Sequence, residues 1–251
     1  MKITENTILI TGGATGIGLE LAKQFLELGN EVIICGRRDV KLQEAKQILP
    51  KLHTLVCDIS HAAERRRLYD MMVSDFPNLN ILLNNAGLQL YRNYLQGVPS
   101  EDIENEISTN LTAPIHLSSL FIPHLLAKSE TAIMNVTSGL AFVPRSLMPV
   151  YCATKAGLHS FTMSLRVQLQ NTPIKVFELA PPIVDTELDR GERDTYNIVD
   201  RGISADVCAK ELIGLIAEDS FFAPVERAKN MFQASRSDQF DMFFNRMNRI
   251  Q

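Results

Sequence analysis

Thr7-Ile-Leu-Ile-Thr-Gly-Gly-Ala-Thr-Gly-Ile-Gly18 is the stretch that decides the fold of this 251-residue chain. The apolar run Thr7–Ile10 leads directly into a glycine-rich turn, and an amphipathic segment follows as far as Gly29. Glycines let the backbone approach a pyrophosphate closely, and the free N–H groups at a helix N-terminus attract its charge. The turn therefore predicts a dinucleotide site, although such a turn can also be purely structural. The expected contacts are Gly12, Thr15, Gly16, Ile17 and Gly18.

Short apolar runs alternate with amphipathic stretches along the rest of the chain, and they predict strands at Thr7–Ile10, Val32–Cys35, Thr54–Cys57, Ile81–Leu83, Ala132–Val136 and Lys175–Leu179. This rhythm is typical of an α/β fold with a doubly wound parallel sheet and helices on both faces. No shift in composition marks a boundary, so we expect one domain over residues 1–251, with a helical C-terminal extension over 226–251. Such sheets bind ligands at the carboxyl ends of their strands.

Composition and charge limit the classes of molecule that this chain is expected to bind. The formal charge of −4 is spread along the chain, which argues against nucleic acid and favours a small-molecule ligand. The 4 cysteines form no CxxC pair, so the sequence suggests neither a metal site nor a disulfide framework. No apolar run approaches the ~20 residues needed to span a bilayer, and no signal segment precedes the first strand. We expect a cytoplasmic protein without a membrane partner.

The second predicted strand ends at Cys35-Gly36-Arg37-Arg38. Gly36 stands where an NAD-binding fold would place an acid for the ribose 2′-hydroxyl, and two arginines follow it instead. A guanidinium suits a 2′-phosphate in both charge and geometry, so Arg37 and Arg38 favour NADP over the alternative, NAD. The same arginines could merely solvate the loop.

Tyr151 and Lys155 lie four residues apart and would share one face of a helix. A free phenol titrates near pH ~10, so its use near neutrality requires about 4 kcal/mol in favour of the phenolate. An ammonium at about 4 Å, at an effective dielectric of about 20, supplies roughly that energy. The pair therefore predicts an acid–base catalyst, although the same spacing occurs in many ordinary helices.

Taken together, the motifs resemble the short-chain dehydrogenase/reductase family over roughly residues 5 to 220. The resemblance is carried by Thr11-Gly-x-x-x-Gly16-x-Gly18, Asn84-Asn85-Ala86-Gly87, Asn110, Ser138 and Tyr151-x-x-x-Lys155. It implies a single-domain Rossmann fold, a nicotinamide cofactor, no metal, and a homodimer or homotetramer. The activity that it implies is NAD(P)-dependent oxidoreduction of a small carbonyl or alcohol.

The resemblance also implies catalytic roles. Tyr151 resembles the general acid for carbonyl reduction, and Lys155 resembles both the group that tunes it and a ribose ligand. Ser138 is expected to hydrogen-bond the substrate oxygen, and Asn110 resembles the residue whose backbone supports a proton relay. Three alternatives remain: Ser138 could cap a turn, Asn110 could satisfy a helix kink near Pro114, and Asn84-Asn85 could merely fix the strand end.

Further cofactor contacts follow from the same resemblance. Asp58 is similar to the acid that contacts the adenine edge, although it could equally cap the next helix. The wider family has glycine at the position of Pro182, so the loop after the sixth strand should be stiffer here. The remaining expected contacts are Ile59, Asn85, Ala86, Gly87, Pro181, Val184 and Thr186.

The substrate pocket is expected from loops beyond these strands, with Leu140 and Phe142 as substrate contacts beside Ser138 and Tyr151. Most pocket positions are apolar, which predicts a medium-sized hydrophobic substrate, and Arg145 is the residue suited to an anion. The apolar and basic tail from Val225 suggests a subunit-packing or lid segment, with a membrane-surface helix as the alternative. The resemblance places subunit contacts on the helix that contains Tyr151 and on a long helix from Ser100 to Lys128.

Ala180-Pro-Pro-x-Val-Asp-Thr-Glu187 and the Cys-Gly-Arg-Arg turn resemble a subgroup associated with D-alanine esterification of lipoteichoic acid in Gram-positive bacteria. This resemblance suggests a cell-envelope pathway without naming the molecule that is reduced. The leading hypothesis is an NADPH-dependent reductase. The alternatives are an NAD-dependent alcohol dehydrogenase and a non-catalytic dinucleotide-binding regulator.

Overall fold

The computed structural model describes residues 1–188, 193, 195, 196 and 198–248. Its strands, numbered along the chain, are β1 (Thr7–Thr11), β2 (Glu31–Gly36), β3 (His53–Val56), β4 (Ile81–Asn84), β5 (Thr131–Val136), β6 (Ile174–Ala180), β7 (Val184–Asp185), β8 (Ile203–Ser204) and β9 (Phe222–Pro224). The main sheet has the order β3-β2-β1-β4-β5-β6-β9 and all its pairs are parallel. The order reverses between β1 and β4, and such a switch point is where doubly wound sheets bind ligands.

Helices connect the strands and cover the sheet. They are α1 (Gly16–Glu27), α2 (Asp39–Ile48), α3 (Ala62–Asp75), α4 (Ser100–Ile107), α5 (Ala113–Leu126), α6 (Pro149–Gln168), α7 (Ala205–Ala217), α8 (Arg227–Ala234) and α9 (Phe240–Asn248). Within the described ranges, no helix is both long and apolar enough to cross a membrane.

Two hydrophobic cores lie on opposite faces of the sheet, because successive side chains of a strand point to opposite sides. Ile8 and Ile10 of β1 pack with Phe25 of α1 in one core. Leu9, between them, packs with Phe121 of α5 in the other. Burial on both faces is typical of parallel sheets, and the predicted single-domain doubly wound fold is confirmed.

The structure contains a strand that the sequence analysis missed. β9 pairs with β6 at the edge of the sheet and spans only Phe222–Pro224. Three residues give no readable alternation, and Pro224 cannot donate to a ladder, which is tolerated only at an edge. The strand nevertheless positions the tail, because it leads directly into α8.

The long helix expected from Ser100 to Lys128 is interrupted. α4 ends at Ile107, a π-helical turn covers Ser108–Thr112, and α5 begins at Ala113. Pro114 has no N–H to donate to the carbonyl of Asn110, four residues earlier, so a regular helix cannot continue through this point. Of the predicted extension over 226–251, residues 249–251 lie outside the described residues.

Candidate active site

A large cleft opens at the carboxyl ends of β1, β2, β4, β5 and β6. Its volume is about 880 Å³. One end is lined by the turn between β1 and α1 and by the end of β2. The other end is lined by the loops after β4 and β5 and by the tail helices α8 and α9. The cleft is thus long enough to bring the glycine-rich turn and Tyr151 into one site.

The glycines of the first turn leave room that other residues would fill. Gly12 and Gly16 have φ angles of 64° and 57°, in the left-handed region that favours glycine. A Cβ at Gly12 would lie 2.7 Å from the Cα of Ala86, and one at Gly18 would lie 2.5 Å from the carbonyl oxygen of Gly12. This close backbone approach places the N-terminus of α1 at the cleft, where free N–H groups suit a phosphate.

Hydrogen bonds tie the first turn to the end of β4. The Thr11 hydroxyl oxygen accepts the backbone N–H groups of Asn85 (3.0 Å) and Ala86 (3.1 Å). The Asn85 amide donates to the carbonyl oxygens of Thr11 and Gly12, each at 3.0 Å. Ala86 and Gly87 line the cleft beside this junction. Asn85 therefore fixes the two strand ends to each other.

The two arginines after β2 have different surroundings. Arg38 lies 3.5 Å from the Glu187 carboxylate and donates to the Thr15 hydroxyl at 3.4 Å. Lys41, on α2, lies 3.5 Å from the same Glu187 carboxylate. Arg37 also lines the cleft, and its guanidinium forms no hydrogen bond or ion pair with the described part of the chain. Arg37 is thus the arginine with free donors at this end.

Asp58 and Ile59 lie at the end of β3 and line the cleft. Although burial opposes it, hydrogen bonds from the Ser60 hydroxyl and backbone, with the Arg37 charge, lower the pKa of Asp58. Those bonds are 2.7 Å and 3.0 Å long and form a turn before α3. Asp58 therefore shapes this turn but does not cap α3, whose N-cap residue is His61, and its carboxylate stays ionised beside the cleft.

Tyr151 and Lys155 lie on one face of α6, as their spacing predicts. The Lys155 ammonium is 5.6 Å from the centre of the Tyr151 ring and donates to the Val136 carbonyl at 2.8 Å. Burial lowers the pKa of Lys155 to about 8. The lysine is therefore still mainly protonated at neutral pH, and its charge lies in a buried site where water screens it little.

Ser138 follows β5 and lines the cleft with Tyr151. Its hydroxyl oxygen accepts the N–H of Leu140 at 3.1 Å and so caps a short 3₁₀ turn. The next residue, Gly139, donates its N–H to the Pro181 carbonyl at 3.0 Å. The cap uses the oxygen as an acceptor only, so the hydroxyl hydrogen can still be donated into the cleft.

Asn110 is fully buried in the π turn between α4 and α5. Its amide accepts the Leu88 N–H at 2.8 Å and donates to the Leu88 carbonyl at 2.8 Å. It also donates to the Thr154 hydroxyl at 3.2 Å. The side chain thus holds the loop after β4 against α6 and does not itself line the cleft, and the predicted backbone relay stays a prediction.

The loop after β6 brings the remaining expected cofactor contacts to the cleft. Pro181, Val184 and Thr186 all line it. A Cβ at Gly16 would lie 3.0 Å from the Thr186 methyl group, so this loop closes over the start of α1. Val184 lies in β7, which is held in place by its parallel partner β8.

At the other end of the cleft, three of the four expected substrate contacts line the cleft, and Phe142 does not. Leu140 lines the cleft, but Phe142 is 8% exposed and lies in an aromatic cluster. Its ring centre is 5.1 Å from that of His159 and 5.2 Å from that of Phe232. The prediction for Phe142 does not fit this geometry, because the 3₁₀ turn after Ser138 directs this side chain toward the tail.

The tail contributes more to the cleft than the sequence analysis indicated. Its cleft-lining residues are Arg227, Asn230, Met231, Phe243, Arg246 and Met247. A Cβ at Gly139 would lie 2.8 Å from the Met231 sulfur, so α8 packs tightly against the turn after Ser138. The spacing of Phe243 and Met247 on α9, four residues apart, was the available signal for a face turned toward the cleft.

A buried ion pair, also missed, supports the loop that carries Leu88. Arg92 lies 3.3 Å from Glu106 of α4, and Glu106 also accepts the Leu90 N–H at 3.3 Å. Burial raises the pKa of Glu106 to about 7, against the opposing effects of the Leu90 N–H and the Arg92 charge. Two oppositely charged residues fourteen positions apart in different elements give no local sequence signal.

We expect replacement of Glu106 by Gln to change how stability depends on pH. Between its ordinary pKa and about 7, folded Glu106 binds a proton that the unfolded chain has released. Its stabilising contribution is therefore present at low pH and lost as pH rises through 7. Urea unfolding should show the advantage of the native chain over Glu106→Gln shrinking by about 1–3 kcal/mol between pH 5 and pH 8. Exposed Glu104, on the same helix, is the matched control, and a constant advantage would contradict the prediction.

Comparison with known proteins adds to this geometry. Residues 6–197 match the family model described as short chain dehydrogenase. The chain is 49% identical over 249 residues to the uncharacterized oxidoreductase DltE of Bacillus subtilis, covering 99% of this chain and 98% of that protein. It is 30% identical over 178 residues to the NADP-dependent 3-hydroxy acid dehydrogenase YdfG of Escherichia coli K12, covering 70% and 72%. A short-chain dehydrogenase/reductase of Burkholderia phymatum, solved in complex with NAD, has a TM-score of 0.87 at 20% identity, covering 100% and 98%.

Proposed function

Because the chain belongs to the short-chain dehydrogenase/reductase family, we propose that it transfers hydride between NADPH and a medium-sized, mostly apolar carbonyl or alcohol. One observation carries this proposal. Tyr151, Lys155 and Ser138 line the same cleft as the glycine-rich turn between β1 and α1. A nicotinamide supplies or accepts hydride when it is bound, and the chain's residues provide the proton and the positioning.

The residues of the cradle fit a dinucleotide. Gly12 and Gly16, with left-handed φ angles, bring backbone within reach of a pyrophosphate. A Cβ at Gly12 or Gly18 would instead clash with Ala86 or with the Gly12 carbonyl oxygen. The uncapped N-terminus of α1 offers N–H groups at the same place. Asn85, Ala86 and Gly87 would lie along its middle, and Pro181, Val184 and Thr186 would cover it. Asp58 and Ile59 would flank the adenine.

Tyr151 is the proposed proton donor to the carbonyl oxygen in reduction, and its phenolate accepts the proton in alcohol oxidation. The buried Lys155 ammonium favours that phenolate, since its charge is poorly screened there. The free hydrogen of the Ser138 hydroxyl is placed to hold the substrate oxygen. Asn110, through the backbone of the π turn, would connect Lys155 to solvent.

The choice of NADPH rests on Arg37. Its guanidinium lines the cleft after β2 with its donors unused, whereas Arg38 and Lys41 both form ion pairs with Glu187. No acid follows β2 directly, where NAD-binding folds hold the ribose 2′-hydroxyl. NAD-dependent alcohol oxidation is the runner-up, and nucleotide titration distinguishes the two.

Replacing Arg37 by Ala should weaken NADPH binding by about 10- to 100-fold, because a charge-assisted hydrogen bond to the 2′-phosphate is lost. NADH binding should change little, since NADH has no such phosphate. The measurement is titration of each nucleotide by nicotinamide fluorescence, which needs no substrate.

Arg38→Ala is the matched control for this titration, because Arg38 is already engaged by Glu187 and should show the smaller effect. Equal affinity of the native chain for the two nucleotides would favour the NAD alternative. Absence of binding for either nucleotide would contradict the enzyme proposal itself. Tight binding without turnover across a broad carbonyl panel would favour a non-catalytic regulator.

The proposal extends to partners and pathway. The substrate is a small molecule, and the family resemblance supports a homodimer or homotetramer, which light scattering would test. The resemblance of Ala180–Glu187 and of the Cys35-Gly-Arg-Arg38 turn to the subgroup named above supports a link to teichoic acid D-alanylation in a Gram-positive cell envelope. A small cytoplasmic molecule that feeds this pathway is the substrate most compatible with NADPH.

A further inference from the structure

Two arginines face the substrate end of the cleft from different parts of the chain. Arg145 lies in the loop after β5, and Arg246 lies on α9. Neither guanidinium forms a hydrogen bond or ion pair within the described ranges. The other two arginines at this end are engaged, since Arg227 pairs with Asp200 and Arg193 donates to the Val184 carbonyl at 3.4 Å.

The backbone around both arginines is held in place. Cys152, next to Tyr151, binds the Arg145 segment, because its sulfur accepts the Arg145 N–H at 3.3 Å. Asn248, two residues after Arg246, accepts the Ser146 N–H at 2.5 Å and donates to the Pro144 carbonyl at 3.1 Å. The end of α9 is therefore fixed to the two residues that flank Arg145. Arg145 and Arg246 thus lie at the same edge of the cleft, here called the rim.

No acid neutralises this rim among the described residues. Among the described residues, the acids that line the whole cleft are Asp58, Glu187 and Asp200. Asp58 lies at the end of β3, Glu187 pairs with Arg38, and Asp200 pairs with Arg227. Unpaired cations over a low-dielectric wall attract anions strongly.

The surface between this rim and Tyr151 is apolar. It is formed by Leu88, Leu140, Met148, Met231, Phe243 and Met247. Arg145 is half-buried and Arg246 is exposed, and a wholly neutral substrate would offer these two cations no anionic partner. An apolar chain that ends in a carboxylate would satisfy both the surface and the rim.

We infer that the substrate is an acid, an oxo or hydroxy carboxylate with an apolar chain, and that Arg145 and Arg246 bind its carboxylate. This inference rests on the proposed oxidoreductase function. Arg145 and Arg246 select the substrate and orient it, and the proton transfer at Tyr151 is unchanged. The tail is thereby part of the substrate site through Arg246.

The test compares acids with their neutral esters. Oxo-octanoates, with the ketone at each position from carbon 3 to carbon 7, are assayed beside their methyl esters with NADPH and with NADH. At least one acid should exceed its ester in kcat/KM by about 10- to 100-fold, the effect of a charge-assisted hydrogen bond. Arg145→Gln and Arg246→Gln should each bring this ratio toward one.

Arg236→Gln is the matched control, since Arg236 lies in the same tail over the Phe232 ring and does not line the cleft. It should leave the ratio unchanged. Esters turned over as well as acids would overturn the inference while leaving the oxidoreductase function standing. A ratio that survives both Gln variants would also overturn it.

A binding measurement separates the inference from turnover. Octanoate should raise the Tm of the full chain more than octanamide does, and Arg145→Gln should remove the difference. If no carbonyl is reduced but this difference is present, the oxidoreductase proposal fails and the anion site stands. Equal shifts by the two ligands, or none, would overturn the anion site.

Discussion

Replacing Tyr151 by Phe is expected to lower turnover by about 10²- to 10⁴-fold, the range that positioned acid–base catalysis supplies. Phe keeps the ring and removes only the hydroxyl that exchanges a proton with the substrate oxygen. NADPH affinity, measured by fluorescence, should stay close to that of the native chain. Steady-state kinetics on the best carbonyl substrate provide the turnover value.

The packing around Tyr151 explains why the variant should fold. The ring is 6% exposed and packs with Tyr91, Met148 and Cys152 in a small apolar cluster. Phe keeps the ring, so it should keep this apolar packing. The Lys155 ammonium, 5.6 Å from the ring centre, would still donate to the Val136 carbonyl. Loss of activity would therefore report the hydroxyl and not a collapsed site.

Tyr91→Phe is the matched control. Tyr91 is also a buried tyrosine that lines the cleft, and its ring stacks on Tyr196 at 5.1 Å. It should retain most of the activity, because it lies on the loop after β4 and outside the Tyr151–Lys155 pair. Persistent turnover by Tyr151→Phe would mean that another group supplies the proton. Loss of nucleotide binding together with activity would mean that Tyr151 acts mainly in packing.

The parts of the site that follow strand ends could be predicted from the sequence. Parallel strands bring their carboxyl ends to one edge, so residues directly after apolar runs must meet there. Gly12 after β1, Ser138 after β5 and Pro181 after β6 all reach the cleft in this way. The spacing of Tyr151 and Lys155 then fixes them on one helical face.

The parts that depend on chain direction after an irregular turn could not be predicted. Phe142 and Arg145 follow the same strand, yet the 3₁₀ turn and a later bend send one toward the tail and the other toward the cleft. The position of α9 depends on Asn248 binding a loop about a hundred residues earlier. No local pattern encodes such a contact.

The pairing of charged side chains could not be predicted from the sequence either. The sequence presents Arg37 and Arg38 as equivalent, but Glu187 approaches Arg38 from the loop after β6. The two arginines differ because the loop after β2 and the loop after β6 meet over the start of α1. Because this long-range contact engages Arg38, Arg37 is the arginine expected to bind the 2′-phosphate.

Replacing Gly12 by Ala is expected to destabilise the chain by about 2–5 kcal/mol and to abolish nucleotide binding, because it combines backbone strain with a steric clash. The φ angle of 64° is costly for any residue with a Cβ. That Cβ would also lie 2.7 Å from the Ala86 Cα and 3.1 Å from the Ala86 nitrogen, which donates to Thr11. The clash would force apart the ends of β1 and β4. Urea unfolding and fluorescence titration measure the two effects.

Gly29→Ala separates the two causes. Gly29 has a φ of 80°, even further into the left-handed region, but a Cβ there would meet nothing within 4 Å. It should cost only about 1–2 kcal/mol and leave nucleotide binding intact, because strain alone acts there. If both variants lose the same stability and both still bind NADPH, the close approach of Gly12 to Ala86 is not what builds the cradle. A larger loss at Gly12, with binding gone, would show that two neighbouring parallel strands hold the pyrophosphate site by direct contact of their backbones.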